Sequence, residues 1–398
     1  MSDGPPTPRK RGGATRAVHG GEWREQEANA ITTPIYQTST FWFENSQEVI
    51  DYQEGRKKRQ EYGRYGNPTW AAVERKLNEL EGGEASVLFA SGMCAATTTF
   101  MSLLAPGSHL IVTSDCYRRT RQFIRQYLNR MGVETTVIEP ASVSAFEAAI
   151  RDETSLFFTE SPTNPYLRVI DVPQTVEIAH ARDVRVLIDS TFASPINHRP
   201  LEEGADLVIH SATKYLAGHN DLLAGTITGK SEIVETIRGA LGVLGGIIDS
   251  HAAWLLLRGI KTLSLRIERH NANGIAVARW LEAHPKIRRV WYPGLESHPD
   301  HEVARRAMEG FGGVVTFEVE TDLAGAMRFI DATKIPYQAP SLGGVESLIE
   351  LPITMSYWDI PADERLAMGI TDSLVRLACG VEDSADLIDD LSQALDQV

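Results

Sequence analysis

One lysine lies just beyond a predicted strand, in a setting that suits covalent chemistry. The segment 206–220 reads DLVIHSATKYLAGHN, so an apolar strand is followed by Ser211, Thr213 and then Lys214. Desolvating an ammonium costs free energy unless the group is paired or neutralised. A Schiff base with an aldehyde cofactor neutralises it, and the two hydroxyls could grip a phosphate on such a cofactor. The alternative is a surface lysine whose ammonium stays in water.

Two more predicted strand ends carry groups that could serve the same cofactor. Residues 86–89 are followed by Ser91-Gly92-Met93, which open a helix whose free N–H groups could bind an anion. Residues 184–188 are followed by Asp189, whose carboxylate could face a pyridinium nitrogen and make the ring a better electron sink. A tight turn and a capping aspartate are the simpler explanations of each alone. One shared site explains all three features together.

The elements that must position these residues alternate between strand and helix. Short apolar runs predict strands at 86–89, 109–112, 135–138, 156–159, 184–188, 207–210 and 224–228. Helical spacing predicts helices at 69–81, 93–104, 118–130, 143–151 and 172–181. This pattern is typical of an α/β fold with a mainly parallel sheet, covered by helices on both faces. Ligands of such sheets collect beyond the carboxyl ends of the strands.

The same pattern divides the chain into three parts. Residues 1–66 are predicted to be an irregular arm with one helix over 46–61, and residues 67–260 a large α/β domain. Residues 261–398 are predicted to be a smaller α+β domain. Within it, a long helix over 261–283 precedes strands at 313–318 and 374–378 and a closing helix at 384–395.

The composition restricts the classes of partner. Of the 398 residues 42% are hydrophobic and 23% are charged, which argues against extended disorder, and the net charge of −14 argues against nucleic acid or anionic membranes. Cys94, Cys116 and Cys379 form no CxxC pair, and the histidines form no HExxH pair. We therefore expect no disulfide framework, no metal site and a cytoplasmic location.

Neither a secretory signal nor a membrane span is expected. The basic, Pro/Gly-rich segment 5–11 is followed by no apolar run, so it indicates a disordered tail or a weak organelle or nuclear address. The longest apolar runs are too short to cross a bilayer.

From about residue 17 to the C-terminus the sequence resembles a known family. The segment around Lys214 is similar to the Schiff-base signature of the Cys/Met-metabolism enzymes that use pyridoxal 5′-phosphate, a group within the fold type I (aspartate aminotransferase-like) transferases. Within the family the plant-type cystathionine γ-synthases are most similar. The segments that carry this resemblance are 61–69 (EYGRYGNPT), 114–121 (SDCYRRTR), 159–165 (TESPTNP) and 355–359 (MSYWD).

The resemblance implies a role for each candidate residue around the cofactor. Lys214 would form the Schiff base and move protons, Asp189 would face the ring nitrogen, and Tyr117 would stack on the ring and assist proton transfer. The phosphate would be held from the same subunit by Ser91, Gly92, Met93, Ser211 and Thr213. Tyr62 and Arg64 would reach it from the neighbouring subunit, which implies at least a dimer and, as we expect, a homotetramer built as a dimer of dimers.

The resemblance also implies a substrate pocket. Arg376 would hold the α-carboxylate of a small amino acid through two parallel hydrogen bonds, although a strand-end ion pair would also explain this arginine. Asn164 and Ser341 would complete the pocket, with Tyr62 and Arg119 as further contacts.

The implied reaction is γ-replacement on a homoserine ester. Lys214 would remove the α-proton, a β-proton and the γ-substituent would leave, and addition of the cysteine thiol would give cystathionine. Hydrolysis instead would give a 2-oxo acid and ammonia, so a γ- or β-lyase and a γ-replacement enzyme of specialised metabolism are the alternatives. A binding protein without cofactor is a third reading, and it would be colourless.

One departure bears on this choice. Methionine γ-lyases have Gly-Cys after the stacking tyrosine, where this chain has Arg118 and Arg119. We hypothesise that Arg118, Arg119 and Arg121 favour an anionic leaving group, phosphate or succinate. A solvated helix start is the alternative.

Overall fold

The centre of the molecule is a seven-stranded sheet. A computed structural model describes residues 11–22, 26–358 and 360–398. The strands β1 to β7 are Ala85–Phe89, His109–Thr113, Glu134–Ile138, Thr154–Glu160, Arg185–Asp189, Leu207–His210 and Gly225–Gly229. They lie in the order β1-β7-β6-β5-β4-β2-β3. Only β7 is antiparallel to its neighbours, so the predicted mainly parallel sheet is confirmed.

A second sheet of five strands follows in the chain. The strands β8 to β12 are Ile287–Trp291, Val314–Val319, Tyr337–Gln338, Leu348–Glu350 and Leu374–Ala378. Their order is β10-β11-β12-β9-β8, and every pair is antiparallel except β10 with β11. The sequence patterns predict β9 and β12 but miss the other three strands.

Helices cover both faces of the large sheet. In chain order α1 to α15 are Gly13–His19, Ser46–Gln53, Pro68–Glu81, Gly92–Leu103, Arg118–Phe123, Val143–Ala149, Val172–His180, Ser194–Asn197, Ser231–Leu244, Ser250–Ile260, Leu263–Glu282, His301–Ala307, Leu323–Ala332, Ala362–Ala367 and Ser384–Leu395. Alternate residues of β5 face opposite sides of the sheet. Leu187 packs in the cluster that holds α4 and α9, whereas Val186 and Ile188 pack with α6 and α7.

Two predicted helices differ from the observed ones. The helix predicted over 46–61 ends at Gln53, because Gly55 takes a φ of +73° and the charged residues after it offer no apolar face. The helix predicted over 118–130 is α-helical only to Phe123. It continues as a π-helical turn, Ile124–Leu128, and a 3₁₀ turn, Asn129–Met131.

The three-part domain division stays a prediction. Its boundary at residue 260 coincides with the end of α10, and the two sheets lie on opposite sides of that boundary in sequence. However, one buried apolar cluster contains Leu88, Leu257 and Phe317 together, so the packing runs across the boundary. Across the described ranges, no helix combines the length and apolar character that a membrane crossing needs.

Candidate active site

A cavity of about 1050 Å³ opens at the carboxyl ends of β4, β5 and β6. Residues from both sheets line it. Most of the site residues predicted from the sequence are among them, namely Ser91, Gly92, Met93, Tyr117, Asn164, Asp189, Ser211, Thr213, Lys214, Ser341 and Arg376. The shared edge of a parallel sheet therefore brings together groups that are far apart in sequence.

One end of the cavity is built to receive an anion. Ser91 caps α4 by accepting a hydrogen bond from the backbone N–H of Cys94 at 3.1 Å. A Cβ on Gly92 would lie 2.9 Å from the Cβ of Ser211, so the helix approaches β6 this closely only because residue 92 is glycine. The first N–H groups of a helix lack intrahelical partners and attract negative charge. A phosphate group fits this end.

Lys214 is a partly buried amine with few partners. Its Nζ donates to the hydroxyl of Ser341. Burial disfavours the ammonium and the Arg376 guanidinium repels it, so the pKa of Lys214 falls to about 8 despite the opposing charge of Glu350. About a tenth of this group is therefore the neutral amine at pH 7, far more than for an ordinary lysine, and the neutral form is the nucleophile that attacks an aldehyde.

Asp189 ends β5 and faces the same cavity. Its Oδ1 accepts hydrogen bonds from the backbone N–H of Thr191 at 2.9 Å and from the Thr191 hydroxyl at 2.5 Å. That hydroxyl in turn accepts from the backbone N–H of Ser211 at 2.8 Å. Burial raises the pKa of Asp189, while the Thr191 bonds and His210 oppose the rise. A cationic nitrogen in the cavity would be stabilised by this carboxylate.

Arg376 projects from β12 into the wall on the small-sheet side. It donates from Nη1 to Asn164 Oδ1 at 3.1 Å and from Nη2 to the Ser341 carbonyl at 2.9 Å. Its Nη2 also lies 3.0 Å from Glu350 Oε1, and both side chains are buried. Within the described part of the chain its buried Nε has no partner, so the guanidinium retains a donor for an acidic ligand.

Ser341 links the two cations through a strained backbone. Its φ of +98° is a conformation that residues other than glycine rarely adopt. The hydroxyl accepts from Lys214 and the carbonyl accepts from Arg376. The strained turn thus presents two acceptors to two buried positive groups.

Comparison with known proteins places this site in a family. The sequence profile described as "Cys/Met metabolism PLP-dependent enzyme" matches residues 14–396. The chain belongs to this family. It is an enzyme that uses pyridoxal 5′-phosphate, as the resemblance around Lys214 predicts.

Relatives with different reactions share the scaffold. Cystathionine gamma-synthase 1 (chloroplastic) of Arabidopsis thaliana is 50% identical over 96% of this chain and 68% of its own length. Cystathionine gamma-lyase of Bacillus subtilis is 40% identical over 96% of this chain and 99% of its own length. The crystal structure of metB from Corynebacterium glutamicum superposes with a TM-score of 0.91 at 36% identity, covering 97% of this chain and 98% of that one.

The cavity has the chemical groups that the family's cofactor needs. The first N–H groups of α4 can meet a phosphate, the Lys214 amine can meet the aldehyde, and Asp189 can meet the ring nitrogen. Tyr117 lines the same cavity directly before α5 and is half exposed. The residues present therefore fit pyridoxal 5′-phosphate.

Three predicted site residues do not line this cavity. Arg119 is exposed and donates to Gln122 Oε1 at 2.7 Å. Arg64 donates to the Gly242 carbonyl at 3.1 Å and lies over the ring of Tyr62, 5.5 Å from its centroid. The contribution of Tyr62 and Arg64 to a neighbouring subunit and the substrate contact of Arg119 stay predictions. In the segment 355–359, Asp359 lies outside the described residues.

Two buried acidic residues of the wall were missed by the sequence analysis. Glu350 lies opposite Arg376 in the β11–β12 register, on a strand of three residues that the apolar pattern does not show. Glu160 is inside the segment TESPTNP that carries the family resemblance, yet the resemblance gave it no role. The available signal was the spacing of two residues, which places Glu160 on the same strand face as the apolar residues 156 and 158.

Proposed function

We propose that this enzyme is a cystathionine γ-synthase, which joins an O-acylated or O-phosphorylated homoserine to cysteine. The main observation behind the proposal is that the Lys214 amine lines one cavity together with Asp189 and Arg376, which suits an α-amino acid substrate. The higher identity to synthases than to lyases supports replacement over elimination.

Each residue then has a defined task. Lys214, Asp189, Tyr117 and the Ser91–Gly92–Met93 turn would hold the cofactor, together with Ser211 and Thr213. When bound, the cofactor supplies an electron sink for carbanion chemistry. Lys214 Nζ takes the α-proton and returns protons to later positions, while Arg376 and Asn164 orient the carboxylate. The Cγ–O bond breaks, a Cγ–S bond forms, and the thiol proton departs as the ester's acid is released.

The assembly and location form part of the proposal. We infer a homotetramer, a dimer of dimers, in which Tyr62 and Arg64 reach the neighbour's cavity, and a cytoplasmic protein. Support comes from the 41% exposure of Tyr62, which leaves its ring available to a second subunit. Sedimentation of the holoenzyme tests the assembly, and a monomer at micromolar concentration would contradict it.

Product analysis tests the reaction. The holoenzyme is incubated with O-acetyl-, O-succinyl- or O-phosphohomoserine, with and without cysteine, and cystathionine and 2-oxobutanoate are both measured. We expect cystathionine to dominate when cysteine is present. If 2-oxobutanoate forms at the same rate without cysteine and no cystathionine accumulates, the enzyme is a lyase.

A γ-lyase is the second candidate, because the Bacillus subtilis γ-lyase is 40% identical over nearly its whole length. A γ-replacement enzyme of specialised metabolism has the same site, and it is distinguished by a thiol acceptor that outcompetes cysteine in the same assay.

A further inference from the structure

Glu160 is a buried carboxyl group in the cavity wall that none of the tasks above uses. It ends β4, is 5% exposed and lines the cavity. The register of β4 with β5 pairs Glu160 with Asp189, and the side-chain alternation puts both on the sheet face that packs against α4. Neighbouring strands lie about 4.8 Å apart, so the two carboxyl groups are close neighbours.

Two carboxylates at this spacing do not both ionise readily in a buried place. Burial and mutual repulsion raise the pKa of Glu160 well above its usual value, and burial raises the pKa of Asp189. Asp189 is the better-stabilised anion, because two Thr191 donors bind it and the charge of His210 also favours its ionised form. Glu160 accepts one donor, the Tyr117 backbone N–H, at 2.5 Å. One of the two carboxyl groups therefore keeps its proton, and that group is Glu160.

Among the described residues, the other groups around Glu160 form no direct ion pair with it. Asp115 and Cys116 approach from the loop after β2, and the Asp115 carboxylate opposes ionisation. Arg121 approaches from α5 and its charge favours the ionised form, but this effect is smaller than those of burial and Asp189, and its Nη1 donates to the Ser114 carbonyl at 2.8 Å. The ion pairs found among the described residues include none with Glu160.

We propose that Glu160 is a positioning residue that stays protonated in the working enzyme. Its carbonyl oxygen fixes the Tyr117 main chain at the start of α5, and its neutrality leaves Asp189 as the single negative charge for the ring nitrogen. The inference rests on the proposed function only for the tasks of Tyr117 and Asp189.

Stability against pH tests the protonation without any substrate. A carboxyl whose folded-state pKa is raised binds a proton that the unfolded chain releases near pH 4.5, so folding stability is lost as pH rises above that value. Glu160→Gln is neutral at every pH and keeps the acceptor for Tyr117. In chemical unfolding of the cofactor-free protein, the folding stability of this variant relative to the wild type should increase between pH 5 and 8. The unfolding constant of the wild type should rise relative to that of the variant by about tenfold for each unit by which the pKa of Glu160 is raised.

Two controls separate this effect from general changes. Glu147→Gln removes an exposed carboxylate of α6 and should follow the wild type across the whole pH range. Glu160→Ala loses the Tyr117 acceptor and should lower kcat by about tenfold or more, whereas Glu160→Gln should stay within about threefold of wild type. A glutamine variant as impaired as the alanine variant, or one with no pH-dependent gain, overturns the proposal.

A second measurement tests the proposal on the wild type, in case the glutamine variant does not fold. Infrared spectra of the wild-type holoenzyme at pH 7 should contain the C=O stretch of a protonated carboxylic acid, which ionised carboxylates lack. Absence of that band overturns the proposal. Since neither readout depends on which product forms, a lyase outcome in the product assay leaves both tests valid.

Discussion

Two lysines in different regions of the molecule, one buried and one partly buried, have opposite surroundings. Lys76, on α3 beneath the N-terminal arm, has no solvent exposure. It donates to the carbonyls of Ala17 at 3.0 Å and Val18 at 2.9 Å, and lies 3.3 Å from the carboxylate of Glu22. Lys214, in the cavity, donates to one neutral hydroxyl. The first ammonium is satisfied by acceptors and the second is not.

The difference separates structural charge from reactive charge. Burial lowers the pKa of Lys76 and Glu22 offsets part of that decrease, while the ammonium links the arm to α3 through its hydrogen bonds. Burial and Arg376 both lower the pKa of Lys214, so its proton is readily released. The hydrogen-bond and ion-pair partners of a lysine thus indicate whether it is structural or reactive better than its burial does.

Replacing each of the two lysines by an uncharged residue gives the largest expected effects. Lys214→Ala should reduce kcat by at least about 10³-fold, since it removes the proton-transfer group and the covalent attachment of the cofactor. Its free energy of unfolding should change little or rise, because a poorly compensated buried ammonium is lost. Steady-state kinetics and chemical denaturation of each variant measure both quantities.

Lys76→Met is the matched control. It should lower the free energy of unfolding by about 2–3 kcal/mol, because Glu22 and two carbonyls lose a donor. Its kcat should stay within about twofold in the folded holoenzyme. If Lys76→Met instead lost activity at full stability, the division into structural and reactive lysines would be wrong.

Two buried arginines extend the comparison with a smaller effect. Arg376→Lys should lower kcat/KM by about 10²-fold, mainly through KM, because a point charge does not reproduce the fork that binds a carboxylate. Arg266 is also buried, and it donates to the carbonyls of Tyr215 and Gly259. Arg266→Lys should therefore lower the melting temperature and leave KM unchanged. Equal KM effects from both variants would remove the distinction.

Local apolar periodicity made much of the fold predictable. The strands at 207–210 and 374–378 and the helix at 384–395 have the predicted bounds, because their apolar patterns are regular. The missed strand β10 has two residues and β11 has three, too few to show a period. The π-helical turn after Phe123 has no signal in the apolar pattern, which predicts a continuous helix over 118–130.

The site residues that directly follow regular strands were predictable. Lys214, Asp189 and the turn at Ser91 follow regular strands, so topology alone brings them together. Glu350 could not be placed, because its charge partner is defined only by the β11–β12 register. The positive φ of Ser341 was equally hidden, since serine gives no local signal for that conformation.

The pH dependence of cofactor uptake sharpens the lysine comparison further. Since only the neutral amine attacks the aldehyde, uptake by the cofactor-free protein should accelerate with rising pH and level off above about 8, the pKa of Lys214. Absorbance stopped-flow measures this profile. Glu350→Gln removes a charge that raises this pKa, so its midpoint should move to lower pH. A midpoint near the ordinary lysine value would show that the cavity does not perturb Lys214.

An exposed cation should have the smallest effect of all. Arg119 donates to neutral Gln122 outside the cavity wall, so for this residue we expect the solvated helix start rather than the leaving-group role. Arg119→Gly should therefore lower kcat/KM by less than about threefold, and equally, for O-acetyl-, O-succinyl- and O-phosphohomoserine. A selective loss on the phosphate and succinate esters would restore the leaving-group role. It would also mean that an exposed arginine can act on the substrate. A reactive cation of this chain would then not need to be buried with few partners.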